Sequence, residues 1–221
     1  MIRGFSLAIH GGAGVLHRDC MTPEREDAYH AALDRVLSAG EAVLDKDGSA
    51  LDAVTQAVCA LEDEPLFNAG RGAVFTRNKQ QEMDASIMDG SNRQAGAVAG
   101  IFGPKNPILA ARSVLEHTEH VFMIGEGALA VARAAGLDFE DRNYFFTQER
   151  WDSLQETLKR EAQGTLDDDP ARRHGTVGAV ACDRHGHLAA ATSTGGMTAK
   201  RSGRVGDSPV IGAGTYADDT T

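Results

Sequence analysis

Basic residues are scarce in this 221-residue chain: 22 Lys and Arg stand against 32 Asp and Glu, for a formal net charge of −10. A phosphate-tracking surface would have to be a very local patch, so no nucleic acid is expected as a partner. Cysteine is also sparse. Cys20, Cys59 and Cys182 are widely spaced and make no C-x-x-C pair, which argues against a disulfide framework and a thiolate zinc site and suits a reducing compartment. No apolar run reaches the roughly 18 residues of a membrane span. The apolar N-terminal stretch is interrupted early by Gly11 and Gly12, too soon for a signal peptide. These absences predict a soluble, cytoplasmic protein with no membrane partner.

What the chain does have is 42% hydrophobic residues, enough at this length to bury one substantial core and to favour one domain. Residues 5–9 read as a buried strand that runs into the turn His10-Gly11-Gly12-Ala13-Gly14. Thr22-Pro23-Glu24 has the form of a helix start, and Tyr29, Leu33, Val36, Leu37, Val43 and Leu44 continue near helical spacing. Ser49 with Asp52 resembles a capping box for a second helix ending near Glu64-Pro65. Short β-like runs follow at Ala73-Val74-Phe75, Ala85-Ser86-Ile87-Met88 and Ala97-Val98-Ala99-Gly100-Ile101. Residues 107–116, 126–135 and 148–160 read as helices, with a strand at 121–124. Residues 161–173 carry Gly164, Asp167-Asp168-Asp169, Pro170 and Arg172-Arg173 and read as a linker. Beyond it, residues 176–182 and 187–194 predict a hairpin through Asp183-Arg184-His185-Gly186. Paired helices alternating with antiparallel-looking strands indicate an α+β protein layered around a sheet.

The stretch His174-Gly175-Thr176-Val177-Gly178-Ala179-Val180 sets a hydroxyl at the head of an apolar run, directly after that linker. A threonine hydroxyl is a poor nucleophile unless a base is adjacent, and its own α-amino group can serve. Such amines titrate near ~7.7–8.0. The amine is free only if the chain is cut before Thr176, and Gly175, lacking a Cβ, suits a strained scissile bond. The bland alternative is a threonine that merely begins a strand. The hairpin brings Thr192-Ser193-Thr194-Gly195-Gly196 back toward Thr176. In the glycine-rich turn Gly203-Arg204-Val205-Gly206-Asp207-Ser208-Pro209, Arg204 can clamp a carboxylate and Asp207 can accept from an ammonium, a set that suits a zwitterionic amino acid. Taken alone, the same turn reads more readily as a surface Arg-Asp pair satisfying itself.

These three segments, together with His10-Gly11-Gly12-Ala13-Gly14, Phe67-Asn68-Ala69-Gly70 and Met83-Asp84-Ala85-Ser86-Ile87-Met88-Asp89-Gly90, resemble the plant-type asparaginases, or isoaspartyl peptidases, of the N-terminal-nucleophile hydrolases. The resemblance implies an αββα sandwich and self-cleavage between Gly175 and Thr176. It divides one domain into an α-subunit part, residues 1–175, and the start of a β-subunit, residues 176–221. It implies hydrolysis of L-asparagine and β-aspartyl dipeptides, with Thr176 as nucleophile and base, Thr194 hydrogen-bonded to it, Arg204 on the substrate α-carboxylate, Asp207 on the α-ammonium and Asn68 in support. No cofactor is implied for catalysis. A structural sodium ion is implied, held by main-chain carbonyls of Leu61, Glu62, Glu64, Phe67, Ala69 and Arg71, of which Arg71 departs from the apolar residue expected there. A homodimer of αβ units is implied as the assembly. Members continue past residue 217 into a Thr-Gly-Thr-Gly segment, so the sandwich is expected to be C-terminally incomplete here and the oxyanion donors to lie beyond Thr221. The alternative reading is a catalytically silent fragment that keeps an amino-acid-binding turn but never cleaves.

Other patterns are weaker. Gly212-x-Gly214-x-x-Ala217 fits the dinucleotide fingerprint, but no room remains for the following helix. His117 with His120, and His185 with His187, lack a second ligand cluster and read as solvated surface histidines.

Overall fold

The Thr22 hydroxyl accepts from the amide of Arg25 at 3.3 Å and opens helix α1 (Pro23–Leu44), with proline in the first turn where its missing N–H costs nothing. Ser49 does the same for Asp52 at 3.0 Å and opens α2 (Ala50–Asp63). The computed structural model describes residues 4–13, 21–165 and 175–220.

Among the described residues the strands form one sheet. They are β1 (Ser6–His10), β2 (Met83–Asp89), β3 (Ala95–Ile101), β4 (Phe122–Ile124), β5 (Val177–Cys182) and β6 (Leu188–Thr194), arranged as β1-β5-β6-β2-β3-β4. All pairs are antiparallel except β3 with β4. The remaining helices are α3 (Pro107–His117), α4 (Gly125–Ala134), α5 (Arg142–Phe145) and α6 (Gln148–Ala162). Helices and strands mixed around one sheet make the α+β class; the two stacked sheets of a sandwich are not among the described residues.

The core lies on one face of the sheet. Alternation sends Ala85 and Ile87 of β2, Val177, Ala179 and Ala181 of β5, and Ala189 and Ala191 of β6 toward Val54, Leu61, Ile108 and Val114 of α2 and α3. The intervening residues turn to the opposite face. There Met88, Ala95 and Ala190 are covered by Ala217 of the C-terminal segment, while Val180 remains 52% exposed.

Three expectations need correction. Residues 73–75 are not a strand: Val74 N donates to Asn68 Oδ1 and Phe75 O accepts from Ala199 N, so the segment is held by individual loop contacts. The four-residue α5, capped by Asp141 on the amides of Asn143 and Tyr144, has no counterpart in the periodicity. The linker begins later than residue 161, because α6 extends through Ala162; residues 166–173 of the linker, with their acidic run, lie outside the described residues. No helix among the described residues is long and apolar enough to cross a membrane.

Candidate active site

Thr176 stands immediately before β5, and strand parity puts its side chain on the face away from the core. β5 pairs with β6 so that Val177 faces Ser193 and Gly178 faces Thr192; Thr192 and Thr194 therefore share the face of Thr176. The hairpin brings the two expected hydroxyls together. Thr176 Oγ1 donates to Thr194 Oγ1 at 3.3 Å, and Thr194 Oγ1 also accepts from Gly196 N at 2.9 Å.

The sequence did not single out Ser208 as a site residue, yet its Oγ lies 2.8 Å from Thr176 Oγ1, nearer than Thr194. Ser208 is fixed through its main chain. Its carbonyl oxygen accepts from the hydroxyls of Ser86 and Thr192, each at 2.7 Å, and Thr215 Oγ1 lies 2.7 Å and 2.6 Å from those same two hydroxyls. Ser86 and Thr192 are direct cross-strand partners. A knot of hydroxyls thus fastens the turn after Asp207 onto the sheet. Parity along β6 was the available signal for Thr192; nothing local marked Ser86, Ser208 or Thr215.

Asn68 is buried beside Gly175. Its Nδ2 donates to Gly196 O at 2.7 Å, its Oδ1 accepts from Val74 N at 3.0 Å, and its carbonyl accepts from Gly195 N at 3.0 Å. It ties the ends of β6 and of the 61–72 loop to one point. Gly12, in a left-handed conformation at φ 119°, lies against the backbone of Gly175 from the other side.

A cleft of about 650 Å³ opens here, lined by His10, Thr176, Thr192, Asp207, Thr215 and Tyr216 among others. That volume falls in the range of small-molecule sites. Asp207 is among the residues lining the cleft. Arg204 does not line it: the half-buried guanidinium folds over Gly206, where a Cβ would stand 3.0 Å from Nη1. It also contributes to the electrostatics of Asp84.

Asp84 faces Thr194 across β2 and β6 and is fully buried. Its Oδ1 accepts from Gly100 N at 2.8 Å, while Oδ2 has no hydrogen-bond partner. Burial raises its pKa, opposed by the charges of Lys200 and Arg204. Burial lowers that of Lys200, whose Nζ donates to Glu82 O at 2.7 Å. The carboxyl of Glu62 is also fully buried, accepts from Ile108 N at 2.9 Å at the start of α3, and is pushed up to about 8 by burial.

The segment 61–72, from the last turn of α2 to Ala73, winds tightly. Leu61 O, Glu64 O, Phe67 O and Ala69 O each accept one main-chain N–H, which leaves a second lone pair on each. The wrap depends on two glycines. Gly70 has φ 50° and a Cβ there would stand 2.5 Å from Glu62 O; at Gly72 a Cβ would collide with Phe67 O. A set of neutral main-chain oxygens fits a hard cation. Arg71 sends its guanidinium over the Tyr144 ring, 5.5 Å from the centroid, so its side chain is engaged elsewhere and only its carbonyl is left to the loop. Among the described residues no cluster of three or more His, Cys, Asp or Glu side chains forms a metal site. His185 and His187 are exposed and face Asp47 and Asp219.

The family model described as asparaginase matches residues 3–221. An isoaspartyl peptidase of Escherichia coli is 50% identical over 220 residues, covering 97% of this chain and 68% of that protein. A plant-type L-asparaginase of Pyrococcus abyssi is 43% identical over 221 residues, 97% of this chain and 70% of that protein. A protein of Arabidopsis thaliana named "Probable isoaspartyl peptidase/L-asparaginase 2" is 40% identical over 241 residues, covering 98% of this chain and 73% of that protein. Matched along nearly its whole length by one family model and by relatives of this similarity, the chain belongs to the asparaginase family that includes isoaspartyl peptidases and plant-type L-asparaginases.

Proposed function

We propose that the protein is a self-cleaving amidohydrolase that acts on L-asparagine and β-aspartyl dipeptides through Thr176. The observation that carries this reading is the position of Thr176 Oγ1, held between the hydroxyls of Thr194 and Ser208 at the wall of a ligand-sized cleft.

Cleavage begins with attack of Thr176 Oγ1 on the carbonyl carbon of Gly175. The C–N bond breaks as the C–O bond forms, the hydroxyl proton passing to the departing nitrogen of Thr176, and water then hydrolyses the ester, leaving Gly175 with a carboxylate and Thr176 with a free α-amine. Residues 1–175 and those from Thr176 onward become the α and β parts of one domain. In turnover the α-amine accepts the proton of Thr176 Oγ1 as that oxygen attacks the substrate's side-chain amide carbonyl. Ammonia, or the α-amine of the second residue of a β-aspartyl dipeptide, leaves with a proton, and water hydrolyses the acyl ester to aspartate. Asp207, on the cleft wall, binds the substrate ammonium. Arg204 binds the α-carboxylate by swinging from its place over Gly206, a move its long side chain permits. Thr194 orients the nucleophile, and Asn68 fixes the backbone that follows Thr194 through Gly195 and Gly196.

Around this site, the reading includes an αββα sandwich whose second sheet packs on the face that carries Thr176 and Val180. It includes a homodimer of αβ units, and a sodium ion on the carbonyls of Leu61, Glu62, Glu64, Phe67, Ala69 and Arg71. That ion would supply positive charge that stiffens the loop carrying Asn68, with no part in bond breaking. The test is release of ammonia from L-asparagine and of aspartate from a β-aspartyl dipeptide by the full-length protein and its Thr176→Ala variant. Turnover by the wild type and none by the variant supports the reading. Equal activity in both, or none in either, overturns it.

A further inference from the structure

We infer that Ser208 is a catalytic hydrogen-bond donor to the Thr176 oxygen, present in self-cleavage and in turnover; the inference rests on the reading of Thr176 as nucleophile. The hydroxyl of Thr176 has one proton, which it can donate to Thr194 Oγ1 at 3.3 Å. Ser208 Oγ lies nearer, at 2.8 Å, and once Thr176 Oγ1 gives up its proton only Ser208 can be the donor in that bond. Ser208 is 2% exposed, so water does not compete for its hydroxyl. Its place does not depend on Thr176: the carbonyl is pinned by Ser86 and Thr192, and Pro209 restricts the backbone that follows.

A donor aimed at this oxygen acts when the oxygen carries charge. As Thr176 Oγ1 loses its proton and attacks, negative charge develops on it, and a preorganised hydroxyl stabilises that charge without moving. When the acyl ester is hydrolysed, the same oxygen departs and accumulates charge again. Ser208 keeps its own proton in both steps, so no transfer is required of it and the atoms balance without it. Thr194 has a different part: its oxygen accepts from both Thr176 and Gly196, so it orients the nucleophile's proton.

The experiment compares wild type, Ser208→Ala and Ser208→Cys in the full-length protein. Cysteine is nearly isosteric but a weak donor, so it keeps the packing if alanine does not. Intact mass over time gives the self-cleavage rate, and steady-state ammonia release per cleaved chain gives kcat and KM, with melting temperature measured alongside. The expected result is a fall in both the cleavage rate and kcat of roughly tenfold to a hundredfold for either variant, with KM and melting temperature little changed. Loss of kcat at constant KM and stability is what a purely structural serine would not produce. Cleavage and kcat within twofold of wild type in either folded variant overturn the role of Ser208 while leaving Thr176 untouched. Absence of cleavage in the wild type itself overturns the reading of Thr176, and that of Ser208 with it.

Discussion

Asn68 and Gly175 are packed so closely that a Cβ built on the glycine would stand 2.9 Å from Asn68 Cβ and 3.2 Å from Asn68 Nδ2. Asn68 cannot retreat, because both ends of its amide and its carbonyl are bonded to other segments. Gly175→Ala therefore has to shift the backbone that carries the proposed scissile carbonyl. Displacements of about 1 Å at reacting atoms cost up to ~10²-fold in rate. The variant should cut itself at least about tenfold more slowly than wild type in a mass-spectrometric time course. An equal rate would mean that the tight contact has no bearing on cleavage.

Arg204 and Asp207 are assigned to opposite ends of the substrate's amino-acid head. Arg204→Lys keeps the charge but loses the planar fork that engages a carboxylate through two bonds, and kcat/KM for asparagine should fall by roughly ten- to a hundredfold. Asp207→Asn should weaken binding of the ammonium to a similar degree. Unchanged kcat/KM in both variants would remove these residues from the substrate clamp.

Much of this architecture could be read locally. Thr22 and Ser49 marked both helix starts because an N-cap is a contact within one turn, and the hairpin of β5 and β6 followed from two apolar runs around a glycine turn. What escaped the sequence is what only assembly creates. Ser86, Ser208 and Thr215 lie on three separate segments, and their meeting depends on the β2–β6 register. The apolar residues 73–75 looked like a strand because composition cannot tell ladder pairing from loop packing. The guanidinium of Arg204, read from the sequence as a carboxylate clamp, lies over its own turn, a placement that the side-chain chemistry alone leaves open.

The loop 61–72 gives a prediction for ion removal. A cation bound only by the folded protein stabilises it by about 2.7 kcal/mol at a hundred times Kd. At this chain length that is roughly 5–10 °C in melting temperature. Melting in sodium chloride should therefore exceed melting in N-methylglucamine chloride at equal ionic strength by several degrees. Identical melting in the two salts would show that sodium is not held there.

His187 offers a pH test remote from the site. Its Nδ1 lies 2.8 Å from Asp219 Oδ2, and this bond, with the nearby carboxylate of Asp183, raises the imidazole pKa. The same bond lowers the pKa of Asp219. Because the histidine value is raised in the folded state, its contribution is fully present below the ordinary ~6.5 and is lost as pH rises through the higher folded value. The carboxylate contribution is lost as pH falls below its ordinary ~3.9. The pair is thus strongest between those limits. In an NMR titration the His187 midpoint should lie above ~6.5 and return toward it in Asp219→Asn; a midpoint indifferent to that change would contradict the pairing.

The central claim is that Thr176 becomes an N-terminal residue by the protein's own action. Intact-mass analysis of the purified full-length protein, incubated without added protease beside its Thr176→Ala variant, tests this most directly. The account predicts two wild-type fragments, the first ending at Gly175 and the second beginning at Thr176, and one undivided chain for the variant. A wild type that stays whole, or a variant that yields the same two fragments, would contradict it.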